Sequence, residues 1–384
     1  MRLTSLFLNP KQPLQSLFHA HTLSNAKQPS GDIFINAQHY YYLSREILLL
    51  LLAATIDINN EHDTKFLFSI WNNQFLSLQN YTKLQHVLSH LVNSQLPASD
   101  CFLFFSEKLF ASVLKAFNNS STNNSVENLG FKVDNLNIRN KIIQFWEELL
   151  KININVEDHV NNRNRWINES TNSSNFAENF SFFENYFLSE FPQKSLSPFD
   201  KKEISSWIQT GNLLDSFIET EANNYRVNPL FAHDFTAPFV PLLSKHVTDF
   251  DNFSIVHSFY SNFKEIIKSF QERLEFQQIN FHIIRSSPIN CCLHKLASEQ
   301  FNYIEAALDD DHYFFDFLIF SGFRLEFDAT AKLAIAFSNN QTEEIKFLNQ
   351  APYSLFGRLF GVNFDQPLSY GVIPFVHFIY LPKI

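Results

Sequence analysis

Leu3-Thr-Ser-Leu-Phe-Leu8, closed by Asn9-Pro10, is an apolar run of strand length, and Asp32-Ile-Phe-Ile-Asn36 is a second one after the turn Pro29-Ser-Gly31. Between them, the apolar residues Leu14, Leu17 and Phe18 stand at helical spacing, with Leu23 closing the stretch. Beyond them, Tyr40 to Ile56 is a strongly apolar helix. Strand, helix, strand, helix at this spacing predicts the opening of a parallel, doubly wound α/β sheet.

Working outward, helices are predicted over Asp63–Leu76, Tyr81–Asn93 and Asp100–Phe117. The last runs into the polar octet Asn118–Ser125, read as a flexible linker. Ile138–Ile152 is a helix carrying Trp146, Asn161–Asn175 is a polar stretch, and Phe176–Phe191 is a Phe-rich helix. Pro198-Phe-Asp200 starts a further helix, for which Gly211 is the left-handed stop. Pro238 and Pro241 confine Phe235–Leu243 to an edge or irregular segment. A long helix is expected over Phe253–Glu275, a short one over Cys291–Ser298, and strands over Ile279–Ile284, Phe301–Ala307, Phe314–Leu318, Ala331–Phe337 and Val372–Leu381. The expected organisation is a sheet in two halves, 1–96 and 234–384, around a mostly helical insertion at 97–233 with its linker near 118–128.

The composition narrows the function. Of 384 residues 45% are apolar, enough to bury a large core, and 29 basic against 39 acidic residues give a net charge of −10. That balance argues against direct nucleic-acid binding, which needs clustered Lys and Arg. Only 7 glycines occur, so phosphate cradles and nucleophile elbows have few places to be, and no Gly-x-Ser-x-Gly is present. Three cysteines make no disulfide framework, and no secretory signal is read at Met1–Ser24, so the expectation is cytoplasmic. The apolar run Ile47–Ile56 is half a membrane span and reads as a buried helix.

Several segments resemble one family in order along the chain. Leu6–Phe18 sits where methyltransferase-like proteins carry strand, Gly-rich turn and helix. Asp32–Asn36 with Leu43–Leu52, and Thr64–Asn72 with its terminal Asn, resemble the axonemal dynein assembly factor three family, whose N-terminal domain some MYND-finger proteins share. Glu203–Gly211 resembles that family's Trp-x-x-Thr-Gly signature, and Tyr225-Arg-Val-Asn-Pro229 and Asp234–Phe239 resemble two later segments. Ile279–Ile304 is similar to the late strand–helix–strand. The resemblance implies a degenerate Rossmann-like, methyltransferase-like fold.

It also implies where a cofactor would sit and why none is expected. Family members with an intact first loop carry glycines and an Asp there. This chain has Asn9-Pro10-Lys11-Gln12-Pro13, where two prolines remove two N–H donors. The acidic residue that ends the second strand and holds ribose hydroxyls is matched by Asn36, which lacks a carboxylate's charge. The expectation is a pseudo-methyltransferase with no cofactor, no metal and no catalysis. Its implied partners are dynein chains and chaperones in cilium biogenesis. The competing class is a catalytically dead protein that binds a large assembly, such as the ribosome, as a structural, inhibitory or dormancy factor. Neither role involves a membrane.

Four clusters stand outside that frame. His86-Val-Leu-Ser-His90 has metal-ligand spacing but no Glu for a zinc protease helix, and exposed helix histidines are the better reading. Cys291-Cys292-x-His294 lacks a second Cys pair and reads as buried thiols. Asp309-Asp310-Asp311-His312 follows a strand, where doubly wound sheets put chemistry, though a solvated turn at a helix start is favoured. In the Phe-rich segment, Phe180, Phe182, Phe183, Tyr186 and Phe187 form a partner-binding patch if they are not all buried.

Overall fold

The computed structural model describes residues 3–8, 16–17, 31–93, 130–133, 136–171, 173–181, 184, 196–214, 224–232, 255–275, 279–308, 324, 332–337, 362–364 and 375–380. The strands are β1 (Leu3–Leu8), β2 (Gly31–Asn36), β3 (Phe75–Ser77), β4 (Gly130–Val133), β5 (Tyr225–Val227), β6 (Ile279–Ile284), β7 (Tyr303–Leu308), β8 (Lys332–Phe337), β9 (Val362–Phe364) and β10 (Phe375–Tyr380). The longer helices are α1 (Tyr40–Thr55), α2 (Glu61–Asn72), α3 (Leu78–Asn93), α4 (Leu136–Lys151), α5 (Val156–Thr171), α6 (Pro198–Thr210) and α7 (Ile255–Glu275).

Eight strands form one sheet in the order β4-β6-β2-β1-β7-β8-β10-β9. The first six are parallel, and β10 is antiparallel to both β8 and β9. The register runs Leu3↔Gly31 to Leu8↔Asn36 between β1 and β2, and Gly31↔Ile279 to Asn36↔Ile284 between β2 and β6. β2 lies on one side of β1 and β7 on the other, so the strand order reverses at the carboxyl ends of β1 and β7.

The period-2 alternation sends Phe7, Ile33, Ile35, Ile279, Phe281 and Ile283 into a helical layer on one face. At its centre lies α1, buried continuously from Leu43 to Thr55. That is why its sequence shows no polar face. Among the described residues, no helix is long and apolar enough to cross a membrane. Trp71 of α2 stacks on Phe263 of α7 at 5.3 Å, with Phe68 edge-on and Phe259 tilted against it. Trp146 of α4 donates to the Ser44 carbonyl at 3.2 Å, tying α4 to α1. The stretch 97–233 also supplies β4, which pairs with β6 at the sheet's edge.

Two elements differ from their sequence reading. α2 stops at Asn72, and a short strand, β3, takes up Phe75–Ser77 and pairs antiparallel with β5 in a separate two-stranded sheet. The helical periodicity is broken there because the Asn73 backbone is extended and its carbonyl accepts from Asn228. The polar stretch 161–175 lies largely within α5. Its inward stripe, His159, Arg163 and Ile167, has a helix's spacing of four, but two of the three are polar and masked the pattern.

Candidate functional site

At the carboxyl edge of the sheet, Asn36 is fully buried at the end of β2. Its Oδ1 accepts from the Ser286 N–H at 2.8 Å and the Ser286 hydroxyl at 3.1 Å, and its Nδ2 donates to the Ser286 carbonyl at 3.0 Å. The amide therefore clasps the turn that leaves β6, and it uses both a donor and an acceptor to do so. A carboxylate could accept from Ser286 but could not donate to its carbonyl. Further back on the same face, Asp32 accepts from Asn280 at 3.0 Å and from His282 at 3.1 Å, and His282 stacks on Phe34 at 4.3 Å. The loop residues Asn9, Pro10, Lys11 and Gln12 lie outside the described residues, as do Asp309, Asp310, Asp311 and His312.

Three of the segments that carry the family resemblance meet in one buried polar knot. Asn72-Asn73-Gln74 leaves α2, Trp207–Gly211 ends α6, and Tyr225–Pro229 contains β5. Gly211 sits at φ 73° and closes α6, its N–H donating to the Trp207 carbonyl at 2.8 Å. Its own carbonyl accepts from the Gln74 N–H at 3.0 Å. A Cβ at Gly211 would lie 2.4 Å from Gln74 Cγ and 2.7 Å from Arg163 Nε, so only glycine fits.

Side chains replace backbone partners throughout the knot. Asn212 pairs with both the N–H and the carbonyl of Phe75, each at 3.0 Å. Asn228 donates to the carbonyls of Ile70 at 3.0 Å and Asn73 at 2.9 Å, and its Oδ1 caps the turn that follows by accepting from the Leu230 N–H at 3.1 Å. Arg163, fully buried, donates to the Ile208 carbonyl at 2.6 Å and to the Trp207 carbonyl at 2.5 Å. These are carbonyls of the last turn of α6, where a cation complements the helix dipole. Burial pushes the Arg163 pKa down to about 9, which leaves it charged at neutral pH. His159, four residues before it, bonds Gln74 Oε1 at 2.9 Å. Burial, aided by the Arg163 charge, lowers its pKa to about 4, so it is a neutral donor to Gln74.

Beside the knot lies a cleft of ≈ 660 Å³. Its floor is Phe75, Ile167 and Ile208, and its walls carry Asn164 and Asn168 of α5 and Gln209 at the end of α6. Phe176, 43% exposed, stands in the lining, 6.4 Å from the ring of Phe180. Phe180 is half-buried against the core, whereas Phe182, Phe183, Tyr186 and Phe187 lie outside the described side chains.

The remaining clusters stay apart. Cys291 and Cys292 are both fully buried in a π-turn over Cys291–Lys295, and burial raises the Cys292 pKa well above the usual thiol range. His86 is exposed and His90 half-buried, the latter held below the ordinary histidine range by burial and the neighbouring His86. Among the described residues, no group of three or more His, Cys, Asp or Glu could hold a metal ion.

Sequence reasoning passed over His159, Arg163, Gln74 and Asn212. The signals that could have found them are the spacing of four in His159-Arg163-Ile167 and the polar break Asn72-Asn73-Gln74 inside an apolar run. Comparison with known proteins finds no matching family model, no matching curated protein and no matching solved structure.

Proposed function

We propose that this chain is a non-catalytic assembly or scaffold factor, built on a degenerate methyltransferase-like sheet and akin to the factors that preassemble axonemal dynein arms. The observation that carries the reading is the Asn36 clasp. The position where the family's cofactor carboxylate would stand holds a buried amide bonded to Ser286. The strand order lends support to the methyltransferase-like part. Setting aside edge strand β4, the sheet reads, in chain rank, 3-2-1-4-5-7-6 with the last strand antiparallel. That is a doubly wound order with one reversed strand inserted, compatible with a Rossmann-like core. The meeting of Ile70 in the Thr64–Asn72 segment, Trp207–Gly211 and Tyr225–Pro229 in one knot supports treating those short matches as parts of one design.

Two measurements test the reading. Calorimetry with S-adenosylmethionine is expected to give no saturable binding, and micromolar binding would overturn the non-catalytic part. Affinity purification of the full chain from ciliated cells is expected to recover dynein heavy or intermediate chains together with chaperones. Ribosomes without dynein chains would reject the dynein role and favour the large-assembly alternative.

A further inference from the structure

We infer that the cleft beside the polar knot is a docking site for an extended, uncharged polypeptide segment of a protein partner. None of its eleven lining residues is ionisable, and amide side chains on α5 and α6 face a floor of Phe75, Ile167 and Ile208. An amide offers a donor and an acceptor, the same complement as a peptide group. The knot already uses this chemistry a few residues away, where Asn212 holds the N–H and carbonyl of Phe75 at 3.0 Å each.

The spacing fits an extended chain. Asn164 and Asn168 stand one above the other on α5, about 6 Å apart along its axis at 1.5 Å per residue. Alternate residues of an extended strand repeat every ~6.6 Å, so the rise between the two positions matches successive outward-facing peptide groups on one edge of the strand. Asn168 is oriented by Asn179, whose Nδ2 donates to Asn168 Oδ1 at 3.2 Å. Asn164 and Gln209 are exposed, one on each helix. Phe176 and the apolar floor then receive the side chains that alternate toward the cleft. A charged segment would lose hydration there with no opposite charge to meet it.

The inference rests on the scaffold reading only in needing a protein partner. It is tested by selecting a display library of random short peptides on the full chain, with neutral oligosaccharides assayed alongside. Selected peptides are expected to be poor in Asp, Glu, Lys and Arg, and to bind with little dependence on salt. In fluorescence anisotropy, N164A and Q209A are each expected to weaken a selected peptide, and the double variant to weaken it about tenfold, with an unchanged thermal midpoint because both side chains are exposed. Recovery of no peptide, selection of charged salt-sensitive peptides, equal affinity in the double variant, or binding of oligosaccharides alone would each overturn the cleft assignment. Capture of dynein chains that is indifferent to the double variant would overturn it too, while leaving the scaffold reading intact.

Discussion

The two sheets that the described residues form are held by different chemistry. In the main sheet, β2 pairs along its whole length with β1 and β6, and apolar side chains from Ile33, Ile35, Phe281 and Ile283 alternate into the helical layer. Cohesion there is spread over many backbone bonds and much buried area, so no single side chain is decisive. The β3–β5 sheet has three residues per strand and a small core of its own, in which buried Phe75 and Val227 are flanked by the half-buried Ile154, Val156, Val160 and Tyr225. A ladder that short is not stable alone. Asn212 holds both backbone groups of Phe75 from elsewhere in the chain, Asn228 at the end of β5 donates to the Ile70 and Asn73 carbonyls, and Arg163 holds the neighbouring end of α6 through its carbonyls. Removing one of them strands a desolvated N–H or carbonyl, a larger penalty than trimming a methyl group from the main sheet.

The contrast can be broken in order of size. Arg163→Leu removes two charge-assisted bonds to the end of α6 and is expected to lower stability by about 4 kcal/mol in urea unfolding. A loss near that of an ordinary surface substitution would show that the α6 carbonyls find water instead. Gly211→Ala forces a side chain against Gln74 and Arg163 at a left-handed φ, with an expected loss of about 3 kcal/mol. A thermal midpoint unchanged by this substitution would mean the knot can shift aside.

The third effect is a pH dependence of similar size. His159 has its folded pKa lowered from 6.5 to about 4, so its stabilising share is complete above the unfolded value. It is lost as pH falls from 6.5 toward 4, because the unfolded chain takes up the proton first. The drop attributable to this residue is about 3 kcal/mol, and His159→Gln, which keeps an amide donor for Gln74, is expected to flatten it. Equal acid sensitivity in wild type and variant would assign the drop to other groups. The smallest effect belongs to the main sheet: Ile35→Val is expected to cost about 1 kcal/mol. A cost equal to that of Gly211→Ala would erase the distinction between the two sheets.

Much of the architecture was legible in local pattern. β1, β2, β6 and α7 lie within about two residues of their predicted spans, and Gly211 stops α6 as expected. Ser197 and Asp200 form a reciprocal cap at the start of the same helix. These features rest on periodicity, capping and turn chemistry, which act over a few residues. The α5 stripe was hidden because its buried positions hold His and Arg, residues whose burial depends on partners far away in sequence.

The same division separates the two functional features. That an amide, Asn36, ends β2 was readable in the sequence, because the residue type at a strand end is local information. The partner of that amide, Ser286, lies 250 residues away and was not readable. The polar knot draws on α2, α5, α6 and β5, and the cleft exists only because α5 and the end of α6 stand across from each other over Phe75. Strand and helix identity came from the chain itself, since backbone propensity and apolar period are local. Which amide meets which peptide group was decided by tertiary packing alone, because an Asn or Gln side chain has the same donor and acceptor wherever it stands, and only proximity selects its partner.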